Sequence, residues 1–357
     1  MTITLFGDGS DGDIIIFEDT ILTTDKNYNN LTINTGITLY PNGYIIYVKN
    51  TLINDGIINR NGINGVNGTR GSYPGIGGTG GIGLPSQSVG GSGAGGNGGT
   101  GSTGNGASPI SGSNGTSVSG ISWSTGGNGG NTRTDVGLVG GTGGITNNKH
   151  DVYCDILNDI ILNVLNRLGG PGGGGGAGGF DTMYYDSAGG GGGGSGGGVT
   201  YISSKIIINN GTITANGGKG GDGFSAVTGS GAGGGGGGGF IVIEYETITN
   251  NGTITTTGGI AGLYCGGPIC TYATNGIEGR VIYCKIPCIP DWQCELPLNG
   301  YASDGCGNRQ PTPICNPSME EDTLGLAIIA GVFSALVLYI LYNETKEEKE
   351  IFKYKKK

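Results

Sequence analysis

Short runs of β-branched and aromatic residues, separated by Asn-Gly and Thr-Gly turns, fill the N-terminal part of the chain. They span residues 14–17, 31–33, 37–40, 44–48 and 51–53. Runs of this length that end at turn residues are typical of β-strands. The pattern predicts a β-platform over residues 1–62.

A short motif recurs after three of the apolar runs. The sequence NDGIIN at 54–59 returns as NGTIT at 210–214 and again at 251–255. Each copy leads into a glycine-rich stretch. Because one repeat of this kind cannot bury its own apolar face, recurrence indicates stacked units. We predict a short β-solenoid-like platform from which the glycine-rich stretches are excursions.

Three dense glycine tracts, at 169–179, 189–198 and 231–239, occupy the middle of the chain. They lack the Gly-X-Y period and the proline content of collagen. Two interpretations are open: flexible linkers, which ordinarily mix glycine with serine, or packed helices of the polyglycine-II type. Serine is scarce in the tracts, and apolar or aromatic residues flank them. This favours helices that satisfy one another's backbone N–H and C=O groups.

Apolar residues at helical spacing mark residues 152–168. They recur at every fourth position from Val152 to Leu168, and a Gly-Gly-Pro sequence follows. The pattern predicts one amphipathic helix. We favour packing of its apolar face on an end or flank of the platform; partner binding is the alternative.

A C-terminal segment has the length and composition of a transmembrane helix. Residues 324–342 contain no charge, and their length is close to the roughly 20 residues that span a bilayer. The lysine-rich tail, 343–357, predicts a cytoplasmic-side C-terminus with the N-terminal part outside. Ala327, Gly331 and Ala335 form a stripe that suits helix–helix packing, although ordinary lipid-facing residues explain it equally well.

Cysteines cluster before this segment and predict disulfides. The candidates are Cys265, Cys270, Cys288, Cys294, Cys306 and Cys315. Their spacing after residue 284 lacks the Cys-x2–4-Cys pair usual at zinc sites, which favours disulfide bonds over metal. Dense disulfides belong to oxidising, extracellular settings, but the N-terminus shows no secretory signal. A viral protein exposed after release would reconcile the two observations.

The predicted fold class is therefore mainly β: a β-solenoid-like platform with packed polyglycine-II helices, one amphipathic helix and a C-terminal transmembrane helix. The expected domains are a β-platform (1–62), a glycine-rich domain with the helix (63–283), a cysteine module (284–318), the membrane span (324–342) and the tail (343–357).

Composition and charge exclude several functions. Gly 84 of 357 residues is far from an average globular composition, and a net charge of −9 offers no basic surface for nucleic acid. With one histidine, His-based triads are excluded, and Asp181, Asp186 and Glu244 show no evident pairing. The carboxylates at Asp8, Asp11 and Asp13 fit a solvated turn better than a calcium loop. We expect neither an enzyme nor a metal or cofactor site.

Isolated aromatic residues in the glycine-rich domain are the candidates for recognition. They are Tyr73, Trp123, Tyr184, Tyr185 and Phe224. Exposed aromatic side chains on loops supply sugar or receptor contacts. The alternative is that such residues cap the ends of the glycine block.

The opening segment and the glycine tracts carry a resemblance. The segments FGDGSDGD and YNNLTINTGITLYPNGYIIYVKNTLINDGIINRNG resemble the start of glycine-rich surface proteins of tailed bacteriophages, over about residues 5–283. The tracts resemble the polyglycine sandwich of tail-fibre tip adhesins, and the cysteine module resembles one found near the membrane in archaeal and viral surface sequences. This resemblance implies a rigid glycine block whose connecting loops touch a host receptor.

Together these features predict a membrane-anchored surface or virion protein for host attachment. Its expected partners are a host receptor or glycan, the lipid bilayer and a second copy of the chain. The alternative is a structural envelope or cell-surface protein without receptor binding. The sequence does not separate a virus from a cellular origin.

Overall fold

The computed structural model describes residues 6–71, 75–101, 110–121, 124–131, 140–148, 169–177, 179–181, 186–224, 229–263, 272–286, 293–294, 301–303 and 309–311. The chain forms two compact units, Met1–Pro287 and Cys288–Lys357.

The regular structure of the described residues consists of strands. They are β1 (Gly12–Ile16), β2 (Thr20–Ile21), β3 (Lys26–Ile33), β4 (Thr38–Tyr40), β5 (Ile46–Asn54), β6 (Ile57–Asn59), β7 (Arg70–Gly71), β8 (Val118–Ile121), β9 (Thr146–Asn148), β10 (Gly179–Asp181), β11 (Asp186–Ala188), β12 (Val199–Asn209), β13 (Thr212–Thr214), β14 (Phe240–Asn250), β15 (Thr253–Thr255), β16 (Arg280–Lys285), β17 (Gln293–Cys294), β18 (Tyr301–Ser303) and β19 (Arg309–Pro311).

Two parallel sheets form the base of the first unit. One has six strands in the order β1-β3-β5-β12-β14-β16, and the other has five in the order β2-β4-β6-β13-β15. Strands consecutive in sequence alternate between the sheets, so each pair forms one coil and the coils stack. The chain leaves this stack after β6, β13 and β15 and returns at β12, β14 and β16.

The repeated Asn-Gly motif forms the corner between the two sheets. Its copies stack in register, with Thr212 beside both Ile57 and Thr253. Asn54 Nδ2 donates to Asn209 Oδ1 at 2.7 Å, and Asn209 Nδ2 donates to Asn250 Oδ1 at 2.7 Å. The corner is therefore tied from coil to coil by an asparagine ladder.

Alternation along the strands covers both faces of the six-stranded sheet. Ile202 on β12 packs with Ile33, Leu52 and other residues of both sheets in a core between them. Its neighbour Tyr201 belongs to a second buried cluster on the opposite face, with Phe240 and others. Successive side chains of a strand point to opposite faces, so the first half of β12 is buried on both sides, whereas the edge strand β1 exposes Ile14 and Ile15.

The excursions contain twelve extended tracts in the described part of the chain. They are tracts 1 (60–69), 2 (75–84), 3 (91–101), 4 (110–117), 5 (124–131), 6 (140–145), 7 (169–177), 8 (189–198), 9 (215–223), 10 (230–239), 11 (256–263) and 12 (272–279). Every third residue of a tract bonds to the same neighbouring tract, as expected for a helix of about 3 residues per turn.

Tract 8 shows how these helices pack. The N–H groups of Gly192, Gly193 and Gly194 donate to tracts 1, 3 and 10 at 2.9, 2.8 and 2.9 Å. The carbonyls of the same three residues accept from tracts 9, 2 and 7 at 2.7, 2.8 and 2.8 Å. One helical turn thus bonds to six neighbours, which is hexagonal packing.

Three central tracts and nine surrounding ones make up the block. Tracts 7, 8 and 10 each bond to six others, so little room is left for side chains, and the few that occur are small or cyclic: Pro171, Ala177, Ser195, Ser230 and Ala232. A Cβ on Gly174 would overlap the carbonyl group of Gly141, and one on Gly234 would overlap that of Gly127. Only Gly7, Gly9, Gly12, Gly36, Gly43 and Gly229 among the described glycines have positive φ. The tract glycines therefore serve close approach.

The surrounding tracts carry a triplet pattern that the sequence analysis overlooked. Gly-Gly-X repeats occupy 77–82, 95–100 and 217–222, and X faces outward: Ile76, Thr79 and Ile82 are exposed, whereas Gly75, Gly78 and Gly81 are buried. Three residues per turn put every third side chain on one line. Tracts 1, 4 and 12 keep a glycine at every third position without the Gly-Gly pair, and the central tracts lack the period.

Asparagine, serine and threonine side chains seal the outer rows. Asn97 Oδ1 accepts from Gly80 N at 2.9 Å, and Asn128 Oδ1 accepts from Gly143 N at 2.9 Å. An N–H group at the edge of the block has no further tract beside it whose backbone carbonyl could accept its hydrogen bond. A side-chain oxygen accepts instead, because such an N–H group still needs an acceptor. This explains why Asn, Ser and Thr accompany glycine in the excursions.

The structure corrects the predicted fold class. The described residues form mainly parallel sheets with no α-helix, and in this part of the chain no helix is long and apolar enough to cross a membrane. The predicted helices at 152–168 and 324–342, with Ala327, Gly331 and Ala335, lie outside the described residues. In the described part of the chain the buried apolar residues pack on the parallel sheets.

The disulfide prediction is also wrong for the described residues. No bridge between two of the six candidate cysteines is found there. Cys294 lies on β17, and Cys265, Cys270, Cys288, Cys306 and Cys315 lie outside the described residues. Cys284 on β16 is disulfide-bonded, although its spacing did not select it as a candidate. Cys284 lies opposite Glu244 in the pairing of β16 with β14, and the spacing of cysteines along the chain does not reveal this position.

The second unit contributes one small sheet to the described residues. Strands β17, β18 and β19 pair antiparallel in that order.

Candidate binding surface

The tracts alternate in direction, so their connections fall at two ends. Odd-numbered tracts run away from the stacked coils and even-numbered tracts return. The end remote from the coils, here called the distal end, receives the connections that follow tracts 1, 3, 5, 7, 9 and 11. Six connections therefore converge on one end of a block of backbone hydrogen bonds.

Large side chains are exposed among the described residues of the distal end. Tyr272 is 81% exposed, Leu263 66%, Ile76 63% and Ile110 59%. Phe224 is half-buried there, and its carbonyl accepts from Ser230 Oγ at 3.1 Å. The distal end thus combines fixed backbone with solvent-facing apolar groups.

Of the five predicted recognition residues, Phe224 lies in the described part of the chain. Tyr73, Tyr184, Tyr185 and Trp123 lie outside the described residues. The described residues around 72–74 and 182–185 lie at the distal end, as Phe224 does. Ser124, which follows Trp123, donates from Oγ to Gly238 O at 2.5 Å, just before β14 and next to the coils. Ser124 is therefore not close to Phe224 or to the described residues around 72–74 and 182–185.

A small sheet also occupies the distal end. β10 pairs antiparallel with β11, and β11 pairs with β7. The register sets Asp181 opposite Asp186, so two of the three carboxylate residues without evident pairing in the sequence are cross-strand neighbours. The third, Glu244, is buried and accepts from Tyr201 Oη and, at 3.0 Å, from Ser203 Oγ.

The N-terminal carboxylates are held by local donors. Asp8 Oδ1 accepts from Ser10 N at 2.9 Å, and Asp11 lies 3.5 Å from Lys26 Nζ. Hydrogen bonds from Asn29 and Asn30 lower the pKa of Asp13. Among the described residues no group of three or more His, Cys, Asp or Glu is placed to hold a metal.

A buried cation lies where tract 1 leaves the coils. Arg60 is 5% exposed, and its guanidinium donates to Pro85 O at 2.6 Å and to Asn42 Oδ1 at 3.4 Å. Burial lowers the pKa of Arg60 to about 10. Its contacts join Pro85, which directly follows tract 2, to Asn42 in the turn between β4 and β5. Arg60 therefore links the glycine block to the stacked coils.

Sequence reasoning missed Tyr272 and the triplet rows of the outer tracts. The signal for the rows was present in the Gly-Gly-X period. Tyr272 had no such signal, because its exposure follows from its place at the start of tract 12.

Comparisons with protein-family models, curated proteins and solved structures found no match.

Proposed function

We propose that this chain is a surface-attachment protein that uses the glycine block to hold recognition segments at its distal end. The observation that carries the proposal is the convergence of six tract connections on that end. Connecting segments on a rigid scaffold are where binding residues concentrate in proteins.

The packing of the block suits this role. Its centre is held by backbone bonds between tracts 7, 8 and 10 and their neighbours, and these bonds need no particular side chain in the connections. Changes in the distal segments therefore cost the scaffold little stability. Such a protein keeps its fold while its recognition surface varies.

The test compares Phe224 and the aromatic residues whose described neighbours lie at the distal end with Trp123, whose described neighbour lies near the coils. Alanine at Tyr73, Tyr184, Tyr185 and Phe224 together is expected to abolish saturable binding of the purified chain to candidate host cells. Trp123→Ala, whose described neighbour Ser124 lies near the coils, is the control and should bind normally. Thermal melts of both variants should match the parent, and unchanged binding by the distal variant would refute the proposal.

A structural surface protein without receptor binding is the second candidate. It is favoured by exposed aliphatic residues on the adjoining tracts 1 and 2: Ile63 (46%), Val66 (54%) and Ile82 (73%). Concentration-dependent assembly of a chain that binds no candidate host cell, and loss of that assembly in Ile63→Ser/Ile82→Ser, would support it.

A further inference from the structure

A groove lies on one lateral face of the glycine block, away from the distal end. Tracts 1, 9 and 11 lie next to one another and run parallel along this face. The groove has a volume of about 430 Å³ and is lined by glycine, asparagine and threonine with one lysine and one isoleucine. No carboxylate lines it. Its volume is in the range of small-ligand sites, about 300–1,000 Å³.

Side-chain oxygens of tract 9 accept from every third backbone N–H group of tract 11, with one exception. Thr257 N donates to Asn216 Oδ1 at 2.8 Å, and Leu263 N donates to Asp222 Oδ1 at 2.7 Å. Between them stands Ile260, whose partner position on tract 9 is Lys219. A lysine side chain has no acceptor, and Ile260 N has no acceptor among the described residues. The exception leaves one backbone donor open in the groove.

Further donors converge on the same place. Asn61 Oδ1 accepts from Asn216 N at 2.7 Å, and Asn64 Oδ1 accepts from Lys219 N at 2.8 Å. Because each oxygen is used, the orientation of each amide is fixed, and the Nδ2 groups of Asn61 and Asn64 have no acceptor within the described part of the chain. They repeat every three residues, at a spacing of about 9 Å in a helix of this type.

The single cation of the groove is available to a ligand. Lys219 Nζ lies 3.2 Å from Asp222 Oδ1, with 43% of the lysine side chain and 31% of the aspartate side chain exposed. Exposed ion pairs of this kind are weak. A ligand carboxylate would therefore compete for Lys219 against a partner one turn away that also accepts from Leu263.

We propose that this groove binds an acidic saccharide, a sugar chain that carries a carboxylate. The carboxylate lies between Lys219 Nζ and the open N–H of Ile260, and the hydroxyls accept from the amides of Asn61 and Asn64. Ile260, 65% exposed, offers an aliphatic surface to the ring. One cation among neutral amides suits a sugar better than an acidic peptide, which needs several cations. The inference is independent of the proposed function.

Lys219→Asn is the decisive variant, because it restores the acceptor row. Asparagine at this position is expected to bond to Ile260 N as Asn216 does to Thr257 N, which removes both the cation and the open donor. The fold should be retained with a melting temperature equal to or above that of the parent. A lower melting temperature would refute the assignment of Ile260 N as an open donor.

Binding is measured by calorimetry with the full chain and a galacturonic acid trisaccharide. We expect Lys219→Asn to lose at least tenfold in affinity, and Asp222→Asn, which keeps the acceptor for Leu263 but frees Lys219, to gain several-fold. Lys205→Asn is the matched control: its side chain is 38% exposed and lies 3.9 Å from Glu246, and its affinity should not change.

Two ligand controls decide the chemical class. A neutral trisaccharide of the same length should bind at least tenfold more weakly; equal binding would remove the role of the carboxylate. Hexaglutamate should bind more weakly than the acidic sugar, and tighter binding of this peptide would overturn the saccharide assignment. Unchanged affinity in Lys219→Asn would overturn the site itself.

Discussion

Addition of one methyl group to a central tract tests the packing of the block. Gly174 lies in tract 7, donates to Gly127 O at 2.9 Å and accepts from Gly234 N at 2.8 Å. A Cβ on Gly174 would overlap the carbonyl oxygen of Gly141 and would lie 2.5 Å from its carbon and 2.9 Å from Thr142 O. All of these are backbone atoms, so Gly174→Ala can be accommodated only if tract 6 moves away.

The cost follows from the bonds that this movement breaks. Tract 6 is joined to tract 7 by Gly141 N to Gly175 O at 2.8 Å and by Gly144 N to Gly172 O at 2.9 Å. Two buried hydrogen bonds left unmade cost about 1–3 kcal/mol each, and overpacking adds about 1–3 kcal/mol. The lower entropy of unfolded alanine returns about 0.4–1 kcal/mol. We expect a net destabilisation of about 4 kcal/mol.

Differential scanning calorimetry of the full chain measures this effect. A loss of about 4 kcal/mol in a unit of this size corresponds to a drop in melting temperature on the order of 10 °C. The control is Thr79→Ala, which changes an outward-facing residue of tract 2 and should melt within about 1 °C of the parent. If both variants melt together near the parent, the tracts are not close-packed and the hexagonal arrangement is wrong.

Three further predictions concern side chains. Asn209→Ala removes the middle of the corner ladder, leaving Asn54 Nδ2 with only the long contact to Thr212 O at 3.4 Å and Asn250 Oδ1 without its donor. Denaturant unfolding should show a loss of about 2–3 kcal/mol, against about 1 kcal/mol for Asn250→Ala, and equal losses would contradict the ladder. Asn61→Ala should cost about 1 kcal/mol because Asn216 N loses its acceptor, whereas Asn61→Asp should restore it. Burial raises the pKa of Tyr28 and of Tyr47 to about 12 from 10.0. The protonated phenols contribute stability that is fully present below pH 10 and is lost as the pH rises through about 12. The unfolding free energy of the double variant Tyr28→Phe/Tyr47→Phe should therefore fall less steeply than that of the parent between pH 10 and about 12.

The elements of the coil stack could be predicted from local sequence. Apolar runs such as Tyr44–Ile53 contain all but the last residue of β5, and the Asn-Gly motif marks the corners because asparagine and glycine suit turns. The repeat of this motif also showed that the segments after 54, 210 and 251 are equivalent. These are local properties, because a segment of the length of one strand is enough to predict a strand or a turn.

The glycine tracts could be interpreted only in part. Absence of side chains is a condition for close packing, and it was visible in residues 169–179, 189–198 and 231–239. A tract is central when other tracts surround it on all six sides, and this number of neighbours is visible only in the tertiary structure. Ser195 shows the difference: it stands in central tract 8, fully buried, because its Oγ accepts from Ile63 N at 2.7 Å.

The candidate sites were decided by the tertiary structure. Tyr73 and Trp123 look alike as isolated aromatic residues of glycine-rich sequence, but the direction of the tracts places their described neighbours at opposite ends. Lys219 occupies a triplet position like that of Asn216 and Asp222, and its significance appears only when tract 11 lies beside it with Ile260 N unpaired. Both distinctions arise from contacts between segments far apart in the chain, which local sequence does not encode.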